Sequence, residues 1–138
     1  MIGEIVGLLQ GDTQLAAILR GGVWRAVEIS RQATPDAYDE WHELRPCALV
    51  KGEGQTPWGP HRDSSRLYVT VWFYQQGGYD AIEAARKRVY ALLHKTRLTP
   101  AEGGCYEIVH VNDLIDQEDA ALGVPMAMSR YMATVQRV

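Results

Sequence analysis

The chain has 138 residues and a mass of 15.4 kDa, enough for one domain with one core. Fourteen Lys and Arg against seventeen Asp and Glu leave a formal net charge of −3, spread evenly, which argues against a free-standing nucleic-acid binder. Seven Tyr and four Trp stand against a single Phe, and such aromatics, apolar in body and polar at the tip, suit half-buried faces and protein interfaces.

Ile2, Ile5, Val6 and Leu9 recur at helical spacing and predict an opening helix, which Gly11 breaks. Asp12 can cap a second short helix that carries Leu15, Ile18 and Leu19. Gly21-Gly22 ends it, since glycine accepts the left-handed exit conformation. Val23 to Ile29 reads as a first strand. Ser30 to Leu44 reads as irregular, with Pro35 opening a short helix that contains Tyr38 and Trp41 and lines its outer face with Asp36, Asp39, Glu40 and Glu43. Cys47 to Lys51 is a short second strand. Gly52 to Asp63 then predicts a long loop between antiparallel strands, because three Gly and two Pro oppose regular structure. Long loops on rigid strands often carry contacts.

Arg66 to Gln75 gives the strongest strand pattern. Leu67, Val69, Val71 and Phe73 share one face, and Tyr68, Thr70, Trp72 and Tyr74 the other. A half-solvated strand should be polar on its outer face. The aromatic face is therefore either covered from within or meets another chain. After Gly77-Gly78, Asp80 and Glu83 fit a capping box, and Ile82, Ala85, Val89, Leu92 and Leu93 form a helical stripe. Thr96 to Gly104 reads as a loop. Cys105 to Leu114 is a strand with His110 on one side and Val109, Val111 and Asp113 on the other. Asp113 to Gly123 reads as an acidic turn region, and Met126 to Val138 as a last strand. The expected class is α+β: an antiparallel sheet of four to five strands packed with an N-terminal helix and a central helix, as one domain over residues 1–138.

The sequence carries no specific catalytic or cofactor pattern. No His pair has metal spacing, no Ser sits in a GxSxG turn, and no Gly-rich segment has a phosphate-loop pattern. His61 with Asp63 could form an acid–base or metal pair, but a solvated polar turn is the simpler reading. The acidic run Asp113 to Asp119 lacks the alternation and central Gly of a calcium loop. Arg86-Lys87-Arg88 reads as a solvated helix face. Cys47 and Cys105 lie in apolar stretches and read as small hydrophobes, not as a disulfide. The expectation is a non-enzyme with no cofactor and no metal. Its apolar runs fall short of the roughly 20 residues that span a bilayer, and Met1 to Glu4 do not open like a secretion signal.

The order of elements resembles the tail terminator, or tail completion, proteins of long-tailed bacteriophages and gene-transfer particles. The resemblance is carried by the opening helix with its break at Asp12 and its Gly-Gly exit into Val23-Trp24. Arg45-Pro46-Cys47-Ala48-Leu49-Val50 before a variable loop and the aromatic strand Leu67 to Tyr74 extend it. So do the helix from Tyr79 to Arg86, the run Ile108 to Leu114, the turn Asp116-Gln117-Glu118-Asp119 and the final strand with Arg130-Tyr131. Ser30 to Leu44 is longer than the family pattern. The resemblance implies a structural virion protein of the tail or neck, made in the host cytoplasm. It would form a ring, usually of six subunits, that caps the tail tube, stops elongation and joins the head connector. Its partners would be itself, the tail tube protein and the connector or stopper protein. DNA would pass through an acidic channel that repels phosphate and does not hold it. Ring closure needs two different patches on each subunit. Trp58, His61, Arg62, Tyr68, Trp72 and Tyr74 are the candidate interface residues. A head-completion or neck adaptor protein, or a small non-catalytic binding module, would carry the same features.

Overall fold

The computed structural model describes residues 1–58, 61–98 and 105–136; the side chains of 58, 61–63, 105, 106 and 136 lie outside that description. Helix α1 (Ile2–Gln10) buries Ile5, Val6 and Leu9, the stripe its spacing predicts. Gly11 N–H donates to the Gly7 carbonyl at 3.0 Å and ends the helix. Asp12 then caps α2 (Thr13–Ile18), its Oδ2 accepting the Leu15 N–H at 2.8 Å.

The same carboxylate takes a fork of two bonds from Arg88, Nε to Oδ2 at 2.9 Å and Nη2 to Oδ1 at 2.7 Å. Asp12 thus caps one helix and ties it to another 76 positions along the chain. The Arg88 guanidinium, opposed by partial burial and helped by the Leu15 amide, holds the carboxyl down at about 2. Asp12→Asn should keep the cap and lose the ion pair, while Asp12→Ala loses both, so melting temperature should fall in that order. The advantage of wild type over Asp12→Asn should be complete above the ordinary value of 3.8 and vanish as pH falls through about 2, read from melts across acid pH.

Past α2, Gly22 takes φ +87, as its place at the helix exit predicts. Gly21 has no room for a side chain: a Cβ there would lie 3.0 Å from Cys47 Cβ and from the carbonyls of Arg45 and Pro46. Strand β1 is only Val23–Trp24, not Val23 to Ile29. From Arg25 the chain leaves the sheet edge, and Ile29 is buried against the opposite sheet face. The weak alternation of Arg25 to Glu28 reflects that departure. A 3-10 turn at Pro35–Ala37 replaces the expected helix, and Tyr38 and Trp41 follow it. Asp39 Oδ1 accepts the N–H groups of Trp41 and Glu43, each at 2.9 Å, and folds that acidic stretch into a tight turn.

Strands β2 (Cys47–Trp58) and β3 (His61–Tyr74) form one long hairpin. The expected loop from Gly52 to Asp63 is therefore mostly strand. A bulge between Gly52 and Gly54 absorbs the glycines, with Gly54 at φ +147. Pro57 pairs with Ser65 next to a second register shift, between Pro57 and Trp58, a place where a strand tolerates proline. Helix α3 (Asp80–Leu93) buries Ile82, Ala85, Val89 and Leu93. Its expected capping box is not formed. Gln75 Oε1 accepts the Ala81 and Ile82 N–H groups at 2.8 and 3.2 Å instead, while Gln75 Nε2 donates to the Asp80 carboxylate.

Strand β4 (Cys105–Asp119) runs through most of the expected acidic turn, which shrinks to residues 120–123 before β5 (Val124–Gln136). Two of the three register shifts in β4, at Val111 and at Ile115–Asp116, make this possible, and Asp116 adopts φ +54. The sheet order is β1-β2-β3-β5-β4. Every pairing is antiparallel except β1 with β2, which is parallel through Val23↔Ala48 and Trp24↔Leu49. The expected α+β class is observed, with one short parallel pair added to the antiparallel sheet.

The main core lies between the helices and one sheet face. Leu67, Val69, Val71 and Phe73 meet Ile5, Leu9, Leu15, Ile82, Val89 and Leu93 there. A smaller core lies on the other face. Cys47, Leu49, Tyr74 and Val124 are covered by Ile29, Ala37 and Leu44 of the irregular segment. Among the described residues, no helix is long and apolar enough to cross a membrane.

Candidate interaction surfaces

The aromatic face of β3 is divided in function. Tyr74 is 6% exposed and belongs to the smaller core, where burial raises its hydroxyl pKa above the ordinary value. Trp72 is half-buried at the rim of that core, between Leu49 and Met128 in register. Tyr68 lies beyond it, half-buried, with the Arg130 guanidinium 4.4 Å from its ring centre. Arg130 Nε lies 3.4 Å from Glu53 Oε2, so a cation is held flat on the ring by a carboxylate. Trp58, His61 and Arg62 lie at the far end of the same hairpin, where Trp58 pairs with His61 in register; their side chains, and that of Asp63, lie outside the described residues. The six candidates are therefore strung along one hairpin and form no single patch. Only Tyr68 and Trp72 are described as available to a partner.

A cavity of about 560 Å³ opens between the irregular segment and this face, lined among others by Arg31, Tyr38, Lys51, Tyr74 and Asp119. Cys47 at the base of the face is a buried free thiol, pushed up to about 12 by burial, so it stays protonated as a small hydrophobe. The Cys105 side chain lies outside the described residues.

The helix side of the sheet holds a polar network. Asp113 Oδ1 accepts from Ser129 Oγ at 2.6 Å and from His110 Nε2 at 2.9 Å, and Asp113 Oδ2 accepts from Arg86 Nη1 at 2.9 Å. Arg86 Nη2 also donates to Glu83 Oε2 at 2.7 Å. Because a carboxylate only accepts, the His110 proton sits on Nε2. His94 Nδ1 accepts the His110 backbone N–H at 3.0 Å, and its ring stacks on Tyr90 with centres 4.6 Å apart. Burial works to raise the Asp113 pKa, but the bonds from Ser129 and His110 and the charges of His110 and Arg86 outweigh it and hold it below the ordinary value.

Strict alternation places His110 and Asp113 on opposite faces. The extra residue Val111 turns them to the same face, so this cluster is hidden from a period-2 reading. The network borders a cavity of about 300 Å³ lined by Arg86, Lys87, Tyr90, His110 and Asp113. Ser129 is fully buried and bonded to the carboxylate, not to a ring nitrogen that could take its proton. The arrangement braces α3 against β4 and β5. Among the described residues, no three His, Cys, Asp or Glu side chains gather as a metal site.

No family model matches the sequence, and no curated protein is similar to it in sequence at a significant level. A solved structure is similar in shape: a chain in the virion of a native gene transfer agent (GTA) particle. It superposes with a TM-score of 0.70 at 14% identity, over 96% of this chain and 91% of that one. At that identity the likeness establishes a shared fold across nearly the whole length.

Proposed function

We propose that this chain is a structural virion protein, and specifically a tail terminator that assembles as a ring of six copies. In this reading the ring caps the tail tube, ends its elongation and docks on the head connector. The observation that carries the proposal is the fold shared, over 96% of the chain, with a chain of a gene transfer agent virion. The element order and local sequence pattern support the finer assignment. Each copy adds a formal charge of −3, so a ring would surround DNA with net negative charge that repels phosphate.

The test is light scattering on purified protein over a range of concentrations, alone and with tail tubes, with rings sought by electron microscopy. The expected particle has six times the 15.4 kDa chain mass and binds tube ends. A monomer under all these conditions would overturn the ring. Rings that bind the connector and ignore the tube would move the protein to the neck-adaptor class.

A further inference from the structure

The two edges of the sheet are chemically unlike. On one side β4 is outermost. The stretch from Ile108 to His110 is covered by the chain itself. Lys95 N–H donates to the Ile108 carbonyl at 2.6 Å, Ile108 N–H to the Thr96 carbonyl at 2.9 Å, and His110 N–H to His94. Beyond that cover the two register shifts turn apolar side chains outward. Val111, Leu114 and Ile115 are 45%, 43% and 46% exposed, with Asp116 and Glu118 exposed beside them. Three large apolar side chains within five residues of an edge strand form a patch that promotes association unless something covers it.

The opposite edge carries a groove of about 290 Å³ between the end of α1, α2 and β1. Leu9, Ala16, Leu19, Val23 and Trp24 give it apolar walls, and Arg20 and Asp36 line it as well. The walls are fixed before any partner arrives. Gln10 Nε2 donates to the Val23 carbonyl at 2.8 Å, Trp24 Nε1 donates to the Gly21 carbonyl at 2.7 Å, and Gly21 is wedged against Arg45 to Cys47. Arg20 is exposed at this groove, and Asp36 stands across it. An apolar patch flanked by acids thus sits at one end of the sheet, and a preformed groove with apolar walls and Arg20 at the other. The two lie across a five-stranded sheet, about 19 Å wide at ~4.8 Å per strand step, so they cannot meet within one copy. Complementary surfaces on opposite ends of one molecule make a head-to-tail contact, which closes into a ring when the rotation permits.

We propose that Val111, Leu114 and Ile115 of one copy seat in the groove between α2 and β1 of the next, with Asp116 and Glu118 facing Arg20. The occupant of both surfaces is a second copy of this chain. The inference rests on the ring reading above and names the two surfaces that close it. They lie at the two ends of the sheet, and Leu114, in register with Met128 and through it with Trp72, makes the patch adjoin the aromatic face.

Two variants at exposed positions test it, Leu114→Asp in the patch and Ala16→Asp in the groove, each checked for an unchanged fold by circular dichroism. Each alone should stay monomeric at concentrations where wild type assembles, a weakening of at least about tenfold. Mixed in equal amounts, they retain one working contact, between the Ala16→Asp patch and the Leu114→Asp groove. The mixture should therefore form dimers and nothing larger. Assembly of either variant to wild-type size would overturn these contacts while leaving the ring standing. Dimers of Ala16→Asp alone would show the patch pairing with itself and would also overturn them. A wild-type chain that is monomeric with and without tail tubes would bring down the ring reading and this inference together.

Discussion

Phe73→Ala should cost about 4 kcal/mol, a large share of the roughly 5–15 kcal/mol that holds a domain of this size. Phe73 is fully buried near the end of β3, packed in the main core between the sheet and its helices. Truncation removes its transfer energy and leaves a cavity that rigid strands on both sides cannot close. Trp72, the next residue, points to the other face, where it is half-buried at the rim of the smaller core. Trp72→Ala should cost about half as much, ~2 kcal/mol, in spite of the larger side chain. Urea titration reads both as shifts in midpoint at constant slope. Equal costs would mean that the irregular segment buries the aromatic face as completely as the helices bury the other.

Asp113→Ala should cost about 2 kcal/mol, because it strands three donors at once, Arg86, His110 and Ser129. The figure is below that of a fully buried ion pair, since Arg86 and Asp113 are 22% and 23% exposed and water screens them in part. Asp113→Asn should cost less but still face a donor group toward His110 or Ser129. The pH dependence has a definite sign. Asp113 is held below its ordinary value of 3.8 in the folded state. Its contribution is complete above that value and is lost as pH falls below it. The gap in melting temperature between wild type and Asp113→Ala should therefore be wide at neutral pH and shrink on acidification below 3.8. A gap that stays constant through that range would mean the carboxylate charge is not what braces α3 to the strands.

The helices and the heart of the sheet were legible in the sequence because burial there follows simple periods. Ile5, Val6 and Leu9 at period 3.6 and Leu67 to Phe73 at period 2 lie in the main core where the pattern puts them. Two of the misreadings share one cause, which is a register change that periodicity cannot see. Gly52 and Gly54 looked like loop residues but sit in a bulge of a continuous hairpin. Asp113 to Asp119 reads as a turn because acidic residues seldom continue a strand, yet bulges on an edge strand let Asp116 and Glu118 face water. The same bulge at Val111 unites His110 with Asp113. Capping failed for a different reason. Gln75 does at α3 what Asp80 and Glu83 were expected to do, from five residues upstream of Asp80. The aromatic face was recognised, but its cover is the Ile29 to Leu44 segment, whose weak local pattern gave no sign of packing there.

The order of strands also governs how the chain must be made. β5 follows β4 in the chain but lies between β3 and β4 in the sheet. The β2–β3 hairpin is local and can close as soon as it is synthesised. One side of β3, from Ser64 to Tyr74, then waits without a partner until β5 has been made. During that interval the nascent chain exposes a bare strand edge beside Val69, Val71 and Phe73, and it can complete its sheet only after Gln136 is within reach. This lag is the moment of greatest risk of pairing with another chain. The native fold ends it by burying that strand edge at the centre of the finished sheet.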